Sequence, residues 1–168
     1  MKTNSKITAI LMLLVFLFLS NSCDEVDKIL NPDDDNDNQT ELTLTMSHGG
    51  VDWSAGKTYP DISDADSDGE TIGWYEPGTP VQGISGIWYR SFSRKVYRAG
   101  AVDLSSVTEV NTNNWATDVC STPLKEGDVW VAETKDGYVK FKVAEPVDPN
   151  AELWKVKVSY VYSSTTKF

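Results

Sequence analysis

The residues whose spacing most invites chemistry run Asp64-Ala65-Asp66-Ser67-Asp68-Gly69-Glu70. Carboxylates at alternate positions, with glycine at the sixth place of the pattern, can wrap a hard cation such as Ca²⁺, which takes six to eight oxygen ligands. The pattern names Asp64, Asp66, Asp68 and Glu70 as metal ligands. It then departs from a helix-loop-helix calcium loop, because Tyr75 stands where the closing bidentate glutamate belongs and Glu76 comes one residue late. The competing reading is a solvated acidic loop. A second group is aromatic: six tryptophans are present, and Trp74-Tyr75 and Trp88-Tyr89 are adjacent pairs. Neighbours on a strand point to opposite faces, so one member of each pair could stand outward and stack on a sugar or another small ligand. The opposing reading places them in the core.

Catalysis finds little support. His48 is the one histidine, and neither a nucleophile elbow nor a metal triad is present. Isolated acids such as Asp52, Asp103 and Glu109 have no spacing that asks for a dyad. The expectation is a binding protein, not an enzyme.

The elements that must position these residues are strands. Val129–Val143 holds two runs rich in β-branched and aromatic residues around Asp136-Gly137, a strong hairpin signal. A two-residue turn there sets Thr134 opposite Val139, Ala132 opposite Phe141 and Trp130 opposite Val143 on an apolar face. The other face then pairs Lys135 with Tyr138, Glu133 with Lys140 and Val131 with Lys142. Leu42, Leu44 and Met46 alternate with threonines in a first strand, and Trp154 to Tyr162 alternates in a last one. Strands are also expected over 51–59 and 71–75, a second hairpin over Gly86–Phe92 and Lys95–Val102, and one helical turn after Asp103. The fold class is all-β, an antiparallel β-sandwich or open barrel.

The start of the chain reads differently. Lys2 and Lys6 precede an apolar run from Ile7 to Leu19, then Ser20-Asn21-Ser22-Cys23. This is a secretory signal peptide whose apolar run is too short to span a bilayer. Its end resembles a lipobox, with Ser20 where leucine is commoner, and the resemblance implies lipidation of Cys23. Residues 24–40 are acidic, poor in apolar groups and broken by Pro32, which predicts a disordered acidic tether. Acidic residues after the lipidated cysteine resemble a surface-export tag of some Gram-negative lineages, whereas Asp24 alone resembles an inner-membrane retention signal. The length of the acidic run favours the outer membrane and its cell surface. The domains are therefore 1–22 signal peptide, 23–40 lipidated cysteine and linker, and 41–168 a single β-rich domain. Cys120 is left without a partner, and no disulfide is expected. The formal charge of −10, with 25 acidic against 15 basic residues, leaves no basic stripe for nucleic acid.

Gly127 to Val143, followed by a strand ending Val158-Ser159-Tyr160-Val161-Tyr162, resembles the C-terminal part of HmuY-type surface lipoproteins. The resemblance covers roughly a quarter of the domain. It implies a β-rich fold and ligand capture, haem in the best-known members, linked to an outer-membrane transporter. Those members hold haem iron with two histidines, and this chain has one, so the haem chemistry does not carry over. The expected partners are the outer membrane, through the lipid anchor, a possible outer-membrane transporter, and a small-molecule or glycan ligand.

Overall fold

The computed structural model describes residues 39–61, 65–74 and 86–168. The stretch expected to be a signal peptide, Cys23, residues 24–38 of the expected tether, Asp64 and Tyr75 lie outside the described residues, as does the side chain of Trp74. Nine strands form two antiparallel sheets among the described residues. They are β1 (Leu42–Met46), β2 (Val51–Asp52), β3 (Lys57–Thr58), β4 (Gly69–Trp74), β5 (Gly86–Ser91), β6 (Val96–Gly100), β7 (Val129–Glu133), β8 (Tyr138–Val143) and β9 (Val156–Ser163). One sheet has the order β1-β9-β8-β7-β6 and the other β3-β2-β4-β5. The sandwich arises because each strand is apolar at alternate positions, and two such faces close on one another.

Five-stranded-sheet residues Trp130, Ala132, Val139, Phe141, Val143, Val156, Val158 and Tyr160 meet Ile87 and Tyr89 of the other sheet in one core. At its centre Trp53 stacks on Phe141, with ring centroids 5.3 Å apart, and Tyr89 meets both edge-on. The indole N–H of Trp53 donates to the Tyr89 hydroxyl at 3.0 Å. That bond satisfies a polar group that would otherwise cost the core free energy. Burial pushes the Tyr89 hydroxyl and the Cys120 thiol well above their ordinary values. Cys120 is buried and unpaired, as expected, and acts as a small hydrophobe.

Two expectations are corrected. The β7–β8 hairpin is real and its faces are as read, but its register lies two residues away: Trp130 pairs with Phe141, Ala132 with Val139 and Glu133 with Tyr138. A wider loop replaces the two-residue turn. It is closed by Thr134 N–H to the Gly137 carbonyl, and the Lys135 N–H donates across the sandwich to Asp68. Gly137 is needed for another reason than a left-handed turn. A Cβ there would lie 2.2 Å from the Ser163 carbonyl oxygen, so β9 leaves no room for one. The second hairpin does not exist as a pair. β5 and β6 belong to different sheets, and the chain crosses between them at Phe92–Lys95 with Arg94 in a left-handed conformation (φ 63°).

The expected strand over 51–59 is the short β2–β3 hairpin, and the turn after Asp103 is a 3-10 turn over Leu104–Ser106. That segment helps cover the outer face of the five-stranded sheet, where Leu104, Val129 and Val161 form a small cluster. Beside it Trp115 stacks on Tyr138 and meets Tyr97 edge-on. Lys140 is buried on the same face, its ammonium donating to the Val107 carbonyl at 2.8 Å and lying 5.0 Å from the Phe168 ring centroid. Desolvation there lowers its pKa.

Candidate functional site

Three turns converge at one end of the sandwich. The β2–β3 turn brings Ser54 next to Asp52, the approach to β4 brings Asp66 and Asp68, and the β7–β8 loop brings Lys135 and Asp136. These six residues line an open cleft of about 230 Å³. Drug-sized pockets start at roughly 300 Å³, so this one suits a small ligand.

Asp68 forms the buried wall of the cleft, at 2 % exposure. One carboxylate oxygen accepts the backbone N–H of Trp53 and the other that of Lys135, both at 2.9 Å. A single side chain thereby ties a turn of the four-stranded sheet to the hairpin loop of the other sheet. Burial raises its pKa above the ordinary value, the two N–H bonds pull it down, and Asp52 and Asp136 push it up again. Asp52 is braced in turn: Ser54 Oγ and the Ala55 N–H donate to one oxygen and the Tyr59 hydroxyl to the other. Desolvation, with the carboxylates of Asp136, Asp68 and Asp52, pushes the Tyr162 hydroxyl up to about 12. The field in this region is negative, relieved by the Lys135 ammonium, which donates to the Ala65 carbonyl.

The carboxylate run read from the sequence is split. Asp66 and Asp68 enter the cleft, whereas Glu70 sits inside β4 on the outer face of its sheet. There its carboxylate is fully buried, paired with Arg90 and 2.7 Å from His48 Nδ1. Glu70 therefore does not join Asp66 and Asp68 as a ligand. Both oxygens of Asp68 and both of Asp52 already accept protein donors, which leaves little for a cation. Among the described residues no group of three or more His, Cys, Asp or Glu is set to hold a metal.

The aromatic pairs also divide. Tyr89 is a core residue and cannot present a platform. Trp88 lies on the outer face of the four-stranded sheet, half-buried, opposite Ile72. Trp74 pairs with Gly86 through its backbone. The sequence reading missed Asp52, Lys135 and Asp136 as cleft residues. The available signal was weak: an acid at or beside each of two turns, without any indication that those turns lie at the same end.

No family model, no curated protein and no solved structure matches the chain. The likeness of its ending to HmuY-type lipoproteins thus rests on the C-terminal residues alone.

Proposed function

We propose that this protein is a lipid-anchored binding module of the outer membrane, exposed on the cell surface, which captures a small ligand and hands it to an outer-membrane transporter. Cys23 carries the anchor, residues 24–40 serve as the tether, and the sandwich presents the site. The observation that carries the binding assignment is the cleft of Asp52, Asp66, Asp68 and Asp136, with Ser54 and Lys135 on its wall. Asp68 and Asp52 are taken up by protein donors, so the exposed carboxylates of Asp66 and Asp136 are the ones that accept from a ligand's ammonium or hydroxyl groups, and the ligand class is a small amine or polyol. Calorimetric titration of residues 39–168 with spermidine, choline and glycerol-type polyols tests this. Binding that weakens in Asp136→Ala supports the assignment, and no heat from any of these probes overturns it.

A glycan-binding module is the second reading. It is favoured by Trp88 standing on the outer face of the four-stranded sheet. Screening the same domain on a glycan array separates the two, and a uniform blank removes this one.

A further inference from the structure

The outer face of the four-stranded sheet carries a connected row of side chains far from ordinary in its chemistry. Phe92 lies under the Arg90 guanidinium, 5.7 Å from its ring centroid. Arg90 pairs with Glu70, Glu70 lies 2.7 Å from His48 Nδ1, and His48 meets Trp154 edge-on at 4.7 Å between ring centroids. Sheet faces open to solvent seldom bury a carboxylate, yet Glu70 is 0 % exposed here.

The row is also chemically incomplete. Glu70 Oε2 and Arg90 Nε are buried and make no hydrogen bond. His48 Nδ1 is close to Glu70 Oε2, but its aligned hydrogen bond runs to the Thr71 carbonyl at 3.1 Å. Buried polar groups are almost always satisfied, so an Arg90 Nε without an acceptor, beside a Glu70 Oε2 met by His48 Nδ1 without an aligned hydrogen bond, calls for an explanation. The far end adds a second, independent sign. Leu153 and Trp154 both adopt left-handed backbone, φ 54° and 49°, a conformation unfavourable for residues other than glycine. That conformation holds Leu153 out at 46 % exposure and Trp154 half-buried against His48, with the His48 N–H donating to the Leu153 carbonyl at 2.9 Å. Backbone strain persists where the surroundings enforce it, and it clusters at binding sites.

We infer that the row Phe92–Arg90–Glu70–His48–Trp154 is a subsite for neutral saccharide. This rests on the glycan-binding reading and gives it a location. Aromatic rings at both ends offer faces for the C–H side of a pyranose, and the part-exposed Arg90 guanidinium and His48 imidazole between them meet its hydroxyls, held from beneath by the buried Glu70 carboxylate. Arg90 is neutralised by Glu70 and the protein as a whole is acidic, at −10, so acidic glycans are disfavoured.

The test is affinity electrophoresis and tryptophan fluorescence of residues 39–168 with cellohexaose, laminarihexaose and mannohexaose, and a heparin hexasaccharide as the acidic control. At least one neutral hexasaccharide is expected to bind, with an affinity about tenfold weaker in Trp154→Ala, and largely restored in Trp154→Tyr. Arg90→Ala, which leaves the Trp154 backbone untouched, is expected to weaken binding as much, while Val102→Thr does not. Circular dichroism confirms that each variant is folded. Silence toward all neutral hexasaccharides, or binding of heparin alone, overturns both the subsite and the glycan reading. Neutral binding unchanged in folded Trp154→Ala and Arg90→Ala overturns the subsite only.

Discussion

Asp68 is the residue on which the end of the sandwich turns, and Asp68→Ala shows how much it holds. The substitution removes two charge-assisted hydrogen bonds from backbone N–H groups, at Trp53 and Lys135. Each such bond contributes about 1.5–3 kcal/mol, and the Trp53 N–H is left buried and unpaired. Against this stands the relief of a desolvated carboxylate, which the raised pKa of Asp68 reports. The net loss expected at neutral pH is roughly 2–4 kcal/mol, within the range of broken buried networks. For a domain of this size that corresponds to a fall of roughly 8–16 °C in melting temperature. Urea unfolding of both proteins measures it. A loss below about 0.5 kcal/mol shows that the bridge between the two turns is dispensable.

The pH dependence carries a sign. Asp68 binds its proton more tightly in the folded state than at the ordinary carboxylate value of 3.8. Its contribution to stability is therefore fullest below 3.8 and diminishes as pH rises through the folded pKa. The gap between the natural protein and Asp68→Ala is expected to widen as pH is lowered from 7 toward 4. A gap that closes on acidification refutes the reasoning, because it makes the two N–H bonds stronger than the cost of burying the charge.

Other perturbations follow from the same geometry. Trp53→Ala empties the space between Phe141 and Tyr89 and is expected to cost about 3–5 kcal/mol, read from the urea midpoint. Leu153→Gly relieves a left-handed backbone at an exposed position and is expected to raise stability by about 1 kcal/mol; an unchanged or lowered melting temperature contradicts this. Cys23→Ala is expected to abolish incorporation of radiolabelled palmitate and to release the protein from the membrane fraction. Melting in chelator and in millimolar Ca²⁺ is expected to agree within a degree, because Glu70 is turned away from Asp66 and Asp68. A rise of several degrees with Ca²⁺ restores the sequence pattern as a metal site.

Much of the sandwich is legible residue by residue, since alternation needs no partner to be recognised. Leu42–Met46, the β7–β8 ribbon and the final strand announce their inner faces directly. Pairing is less legible, because it depends on what lies across the sandwich. The two-residue turn at Asp136-Gly137 is locally favoured, yet Asp68 takes the Lys135 N–H that such a turn would spend on Tyr138. Likewise the stretch from Gly86 to Gly100 looks like a hairpin because its two halves are each good strands. Nothing within it shows that one half bonds to β4 and the other to β7.

The acidic run shows why spacing alone does not make a site. Asp68 and Glu70 are two residues apart, so regular strand geometry would aim them the same way. Regular strand begins only at Gly69, however, and the backbone before it is held by other bonds: Asp68 N–H to the Val51 carbonyl and Phe92 N–H to the Asp68 carbonyl. Asp68 is therefore oriented by two loops, and Glu70 by its cross-strand partner Arg90. Once a guanidinium stands opposite on the sheet, a carboxylate gains more by pairing with it than by joining like charges around a cleft. The alternate carboxylates that suggest a single cation loop thus become parts of two separate networks, one at the end of the sandwich and one on its outer face.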